Sequence, residues 1–416
     1  MLAGGVTSEP LHAGVAAHAA ALGFCPRRLA RIAPWMQQHV ASGRLAGLSV
    51  QVARQGQVVF RHDHGLRDLA SGAPVQPDTI WRIYSMTKPL TTVAALMLYE
   101  EGAFQLDQPV ADFLPAFGAL RVWAGGDAPL SDTVAPVRPV TVHDLMTHCS
   151  GLVSADATGD TLARAYAAEE LDFRRAGDSL ASAVERLCRL PLRFQPGGRW
   201  HYGVSTDVLG RLVEVVSGRA LGQFMRERIL VPLGMRNTGF SVAPSQAARV
   251  ATLYQRGPAG ALQPVEGARA QVLTTPGGIE RGGSGLYSTL DDYQRFADAL
   301  LRRSRYDSGQ LLGRKTFDLM VSNQMRGDLA SMGQAHFSET TMEGIGFGLG
   351  VSVMLDPARA RILGSPGEFA WGGMASTAFW VDPHEEMTVV LMTQLTPSST
   401  YTLRRQLRVL SYSALV

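Results

Sequence analysis

The chain has 416 residues, 46% of them hydrophobic and 18% charged, enough to bury a large core in two or more lobes. Its formal charge is only +3, and no lysine/arginine block is interleaved with aromatics, which argues against nucleic acid or an anionic membrane as partner. No stretch approaches the roughly 18 consecutive apolar residues of a membrane helix, and Cys25, Cys149 and Cys188 are widely spaced, as expected of reduced thiols in a cytoplasmic protein.

In chain order, residues 1–25 read as a loosely held arm, rich in alanine and glycine and without a basic leader. Leu29, Ile32, Ala33, Met36 and Val40 then fit an amphipathic helix over Pro26–Val40. Leu45–Ala53 and Gln57–His62, separated by Arg54-Gln55-Gly56, read as a valine-rich hairpin that Gly65–Leu69 could extend. After the extended run Thr79–Tyr84 the period changes: Leu90, Val93, Ala94, Met97 and Leu98 mark a helix that starts near Ser85 and stops at Gly102.

From Asp107 to Tyr287 the pattern is helical. Thr141–Met146, Ser179–Cys188, Val208–Val216 and Leu221–Ile229 are the predicted helices, and the turn Gly282–Ser288 feeds a further helix, Leu290–Leu301. Strands return at Gly346–Leu355, Thr377–Val381 and Met387–Thr393, with Asp382–Glu385 as a hairpin turn and a last helix after Pro397. Strands at both ends with helices between predict an α+β fold. Its antiparallel sheet is built from both chain ends, residues 26–106 and 288–416, and a mainly helical domain, 107–287, is inserted.

The chemistry concentrates at Ser85-Met86-Thr87-Lys88. On a helix, residues three apart share a face, so the Lys88 amine can lie beside the Ser85 hydroxyl while first-turn N–H groups stay unpaired. Only two of the 39 basic residues are lysines, Lys88 and Lys315. Where arginine serves everywhere else, a lysine kept at a helix start points to an amine that can give up its proton, which arginine cannot do. A serine hydroxyl needs such a neighbour before it attacks a carbonyl.

Two further segments share this context: Phe194-Gln195-Pro196-Gly197-Gly198-Arg199-Trp200-His201-Tyr202 and Trp371-Gly372-Gly373-Met374. With supporting segments Leu145–Leu152, Pro232–Met235 and Gly283–Ser288, the chain resembles serine beta-lactamase-fold hydrolases, most of all the family VIII carboxylesterases related to class C beta-lactamases and penicillin-binding proteins. That resemblance implies Ser85 as nucleophile, Lys88 as its helper and Tyr202 as proton relay, either of the latter two being the first acceptor. It also implies an oxyanion hole from the N–H groups of Ser85 and Met374, and Trp371, Gly372 and Gly373 along the substrate cleft. It implies no metal and no organic cofactor.

Two departures shape the expected substrate. Tyr202-Gly203-Val204 stands where class C lactamases have Tyr-x-Asn, and Trp371 replaces the lysine of Lys-Thr-Gly, so the groups that would meet a beta-lactam are absent and uncharged short-chain esters are favoured. Lys315-Thr316-Phe317 lacks the glycine and sits in a helical pattern. No Gly-x-Ser-x-Gly elbow is present. The alternatives are an acyltransferase like the statin-side-chain enzymes of this fold, an amidase or beta-lactamase, and a silent member that only binds.

Overall fold

The structure, a computed structural model, describes residues 13–156, 158–175, 177–258, 260–267, 271–274 and 278–416. The first twelve residues of the expected arm, His12 included, lie outside these. The remainder of the arm differs from the expectation: Ala13–Ala21 forms helix α1, and Ala19 and Phe24 are buried. The predicted helix over Pro26–Val40 breaks into a turn, Pro26–Leu29, and α2, Ile32–Ala41. Pro34 falls in the first turn of α2, where its missing N–H has no intrahelical acceptor to lose.

β1 (Gly47–Arg54) and β2 (Gln57–Asp68) form the hairpin, with Arg54 opposite Gln57. Gln55 and Gly56 both have positive φ, the geometry of a two-residue turn matched to strand twist. β2 runs on without a break to meet β3, Ala73–Pro74. Helix α3, Thr87–Glu100, follows a short 3-10 turn at Tyr84–Met86, and α4, Ser205–Ser217, and α5, Leu290–Leu301, come later.

The predicted strand Gly346–Leu355 is two strands, β4 (Ile345–Phe347) and β5 (Ser352–Met354), because Gly348–Gly350 turn the chain back. β6 (Phe369–Gly372), β7 (Ala378–Asp382) and β8 (Met387–Thr393) complete the sheet before α6, Leu403–Tyr412. Its order is β4-β5-β6-β7-β8-β1-β2-β3, antiparallel throughout, so the two ends of the chain meet where β1 pairs with β8. Among the described residues, no helix is long and apolar enough to cross a membrane.

Both faces of the central strands are covered, and period-2 alternation divides them. Leu48, Val50, Val52, Trp380, Val389 and Leu391 pack with α1, α2 and α6; Phe379, Val390 and Met392 pack with α3 and α5 in a core that continues into the helical part. Each such fully buried valine or leucine contributes about 1.5–3 kcal/mol. The chain ends are stitched together: Cys25 N–H donates to Ala414 O at 2.7 Å and Val416 N–H to Gly23 O at 3.0 Å.

α6 is tied to the sheet by a buried ion pair. Both Nη atoms of Arg408 reach the two carboxylate oxygens of Glu368 at 2.6 Å. Tyr412 Oη lies 2.6 Å from Glu368 Oε2 and 2.8 Å from Asp382 Oδ2. Burial pushes the Glu368 carboxyl up, and Arg408 pulls it back. Arg408→Met leaves that carboxylate buried and unpaired, so unfolding free energy measured in urea should fall by about 3–5 kcal/mol.

His148 is 1% exposed in a loop at φ +56°, packed against Trp200, Tyr202 and Phe347, with Nδ1 unpartnered. Burial, and then the charge of Lys88, hold it well below the ordinary histidine range, and burial brings His201 down to about 4. The unfolded chain therefore binds protons below pH ~6.5 that the folded chain does not, and stability falls as pH falls through that window. Each such histidine should remove about 1.4 kcal/mol per pH unit below its unfolded value. Urea titrations at pH 7 and 5 should show the loss, and His148→Gln should reduce its slope.

Candidate active site

The short strand Trp81–Arg82 pairs with Tyr287–Ser288, which fixes the approach to the turn that carries Ser85. Tyr84 then turns the chain at φ +44°, a costly conformation for a residue with a large side chain, and sets Ser85 at the mouth of α3. Every residue from Thr87 to Leu98 is buried, so the helix carrying Lys88 runs through the core and does not lie on the surface. Lys88 itself is only 4% exposed.

The glycine-rich turn at 282–286 threads between α3 and α4. Thr91 Oγ1 donates to Gly282 O at 2.6 Å, Lys88 Nζ to Gly283 O at 2.8 Å, and Leu286 N–H to Thr87 Oγ1 at 3.1 Å. A Cβ on Gly282 would stand 2.7 Å from Thr206 O, and one on Gly283 would stand 2.4 Å from the Asp207 carboxylate. Only glycine passes there. Asp207 is 7% exposed and accepts the Gly283 N–H at 2.9 Å. Burial pushes its carboxyl up, and the charge of Lys88 pulls it down. One glycine residue, Gly283, thus stands between the buried amine and the buried carboxylate, its carbonyl toward the first and its N–H toward the second.

Tyr202 ends the Phe194–Tyr202 loop just before α4. The 147–153 loop supports it: Gly197 N–H donates to Cys149 O at 2.8 Å, His201 N–H to His148 O at 2.9 Å, and Gly203 sits where any Cβ would be 2.6 Å from the Val153 carbonyl carbon. Trp200, Phe337, Trp371 and His148 ring the phenol, and Phe347 packs against three of them. Its Oη donates to Ser85 Oγ at 2.6 Å. Lys88 Nζ is 3.4 Å from the same Oγ and 4.5 Å from the Tyr202 ring centroid. Hydroxyl, amine and phenol, from positions 85, 88 and 202, are therefore within proton-sharing reach.

Among the described residues, neither the Ser85 N–H nor the Met374 N–H has a protein acceptor. The backbone at Gly373 lies against that of Ile83, so close that a Cβ on Gly373 would be 2.4 Å from Ile83 O. The two free N–H groups thus belong to segments in direct contact. Trp371 is 8% exposed, stacked on Phe337 and tilted against Tyr202, its Nε1 unpartnered. It supports the phenol from behind as much as it walls a cleft.

The two glycines expected along the substrate cleft, Gly372 and Gly373, each admit a neighbour from the protein itself. Gly372 makes room for protein: a Cβ there would be 2.6 Å from Cζ of Arg404, from α6. Gly373 lets its strand end approach the turn that carries Ser85. Sequence reasoning did not single out Asp207, Phe337 or Arg404. Asp207 left one signal, an acid beside Val208 and Leu209 on the buried face of α4. Arg404 left none, being one of several arginines in its helix.

This arrangement has close relatives. Residues 32–413 match the beta-lactamase family. The chain is 32% identical over 381 residues to esterase EstB of Burkholderia gladioli, an alignment covering 88% of this chain and 90% of EstB. Among solved structures, simvastatin synthase LovD from Aspergillus terreus, unliganded, matches with a TM-score of 0.77 at 27% identity, covering 93% of this chain and 97% of LovD. EstCE1, described as a hydrolase with promiscuous acyltransferase activity, matches with a TM-score of 0.76 at 26% identity over 92% of this chain and 98% of its own. With the family match running from the start of α2 to just past the end of α6, the chain belongs to the beta-lactamase family.

Proposed function

We propose that this protein is a serine hydrolase that cleaves short-chain carboxylic esters through an acyl-Ser85 intermediate. The observation that carries the reading is the Tyr202 Oη at 2.6 Å from Ser85 Oγ, with Lys88 Nζ 3.4 Å from the same atom. Ser85 Oγ attacks the ester carbonyl carbon, its proton passes to the Tyr202–Lys88 pair, and the carbonyl oxygen becomes an oxyanion between the N–H groups of Ser85 and Met374. Collapse of that adduct expels the alcohol, which takes the proton back from the pair. Water then attacks the acyl group by the same steps and frees Ser85. Each oxyanion donor is worth about 2.7–4 kcal/mol in the transition state.

Substrate preference follows from what surrounds the triad. The walls beside Tyr202 are aromatic, and Val204 stands where a lactamase asparagine would bind an amide. Similarity to EstB supports ester hydrolysis. A second reading, transfer of the acyl group to an alcohol other than water, draws support from the likeness to simvastatin synthase and to EstCE1. Both share the acyl-Ser85 step and differ only in what accepts the acyl group.

A fluorophosphonate probe should label the wild-type protein and leave Ser85→Ala unlabelled, and p-nitrophenyl butyrate hydrolysis should be lost with the label. A wild-type protein that takes no label and cleaves no activated ester would end this reading. Tyr202→Phe should lower kcat by about 10²–10⁴ with little change in KM, because the phenol acts on the proton in flight and not on the bound ester. Added alcohol acceptors, with products followed by chromatography, separate hydrolysis from transfer.

A further inference from the structure

We infer that Arg404 is a positioning residue for the oxyanion site: its guanidinium holds and polarises the Gly373–Met374 peptide, whose N–H is one of the two free donors beside Ser85. The inference rests on the hydrolase reading above and assigns a role to the helix at the far end of the chain.

Arg404 Nη2 lies 2.7 Å from Gly373 O and 3.1 Å from Thr377 O, and the Ser376 N–H reaches Gly373 O at 3.1 Å. Since Gly373 N–H also donates to Thr377 O at 2.9 Å, the guanidinium bridges the two ends of a closed turn. The Gly373 carbonyl and the Met374 N–H belong to one conjugated amide. A cation bonded to that oxygen draws electron density from the nitrogen and makes the N–H a stronger donor, as in any chain of polarised hydrogen bonds.

Two further observations support the role. Gly372 has no Cβ where one would meet the guanidinium, at 2.6 Å from Cζ and 2.7 Å from Nη2, so the strand is shaped to admit it. The charge is also not cancelled by a direct partner. Glu339, the acid that attracts Arg404, uses Oε1 on the Arg404 backbone N–H at 3.1 Å, and its Oε2 is buried without a partner, as is Arg404 Nε. The strand lacks the lysine of Lys-Thr-Gly, and a cation from another element meets the same stretch from behind.

The test compares Arg404→Met and Arg404→Lys with wild type on p-nitrophenyl butyrate, on a trifluoromethyl ketone that adds to Ser85 to give an oxyanion, and by NMR. Labelling glycine carbonyls with ¹³C and methionine nitrogens with ¹⁵N yields two Gly–Met peptides, Gly373–Met374 and Gly234–Met235, the second an internal control. Arg404→Met should lower kcat by about 10- to 100-fold with KM nearly unchanged, and weaken the ketone by the same factor. Its Met374 amide resonance should move while that of Met235 stays, and Arg404→Lys should fall between. Unchanged kcat, a rise in KM alone, or an unmoved Met374 resonance would each overturn the role.

Should Arg404→Met fail to fold, Gly372→Ala displaces the guanidinium with its charge intact, and the same readouts decide. A wild-type protein without esterase activity or label would sink the hydrolase reading instead, and the Met374 resonance would still report whether Arg404 acts on that peptide.

Discussion

A primary amine enclosed at the start of a buried helix is the constraint around which this molecule is arranged. Taking an ammonium from water is expensive, and the first turn of a helix is the positive end of its dipole, the wrong end for a cation. The surroundings of Lys88 offset that cost piece by piece: the Gly283 carbonyl at 2.8 Å, the Tyr202 ring at 4.5 Å, and the field of Asp207 on the far side of Gly283. A hydrogen bond to a charged group returns about 1.5–3 kcal/mol and a desolvated cation–π contact about 2. These are contributions of the size needed to hold the amine in place, not to make its burial a gain in stability. An arginine could not shed its charge in such a site, and a leucine would be cheaper.

That requirement explains the neighbours. Glycines 282 and 283 exist because the chain must pass between α3 and α4 to deliver a carbonyl to Lys88. Asp207, buried on α4, accepts the N–H of the same glycine, Gly283. The phenol is carried to the site by the loop before α4, and that loop is braced by the 147–153 segment, so three stretches distant in sequence are fixed by contacts to one another. His148, Trp200, Phe337 and Trp371 pack around the Tyr202 ring and fix where its Oη meets Ser85 Oγ.

What could be read from the chain alone followed the range of the interactions involved. Ser85 and Lys88 were legible because a helix brings positions three apart together whatever the tertiary fold. Tyr202 and the Trp371–Met374 stretch were legible only through resemblance, since no local rule says that residues 117 apart share a proton. The hairpins, the capped helix at Thr141 and the return of strands near the C-terminus came from patterning, as their turns and caps are encoded within a few residues. The strand break at Gly348–Gly350, the folded part of the N-terminal arm and the fit of Arg404 against Gly372 were not legible. Each depends on a partner surface that forms only in the finished fold, and one arginine in an arginine-rich helix looks like any other.

The junction of β1 with β8 joins residues 48 and 393, 345 positions apart along the chain. A polypeptide leaving a ribosome would carry β1 exposed along one edge until β8, made hundreds of residues later, could pair with it. Ser85 and Lys88 are made early, but the end of β6 and Arg404 beside it are made late. Over that long interval an unpaired strand edge invites wrong partners.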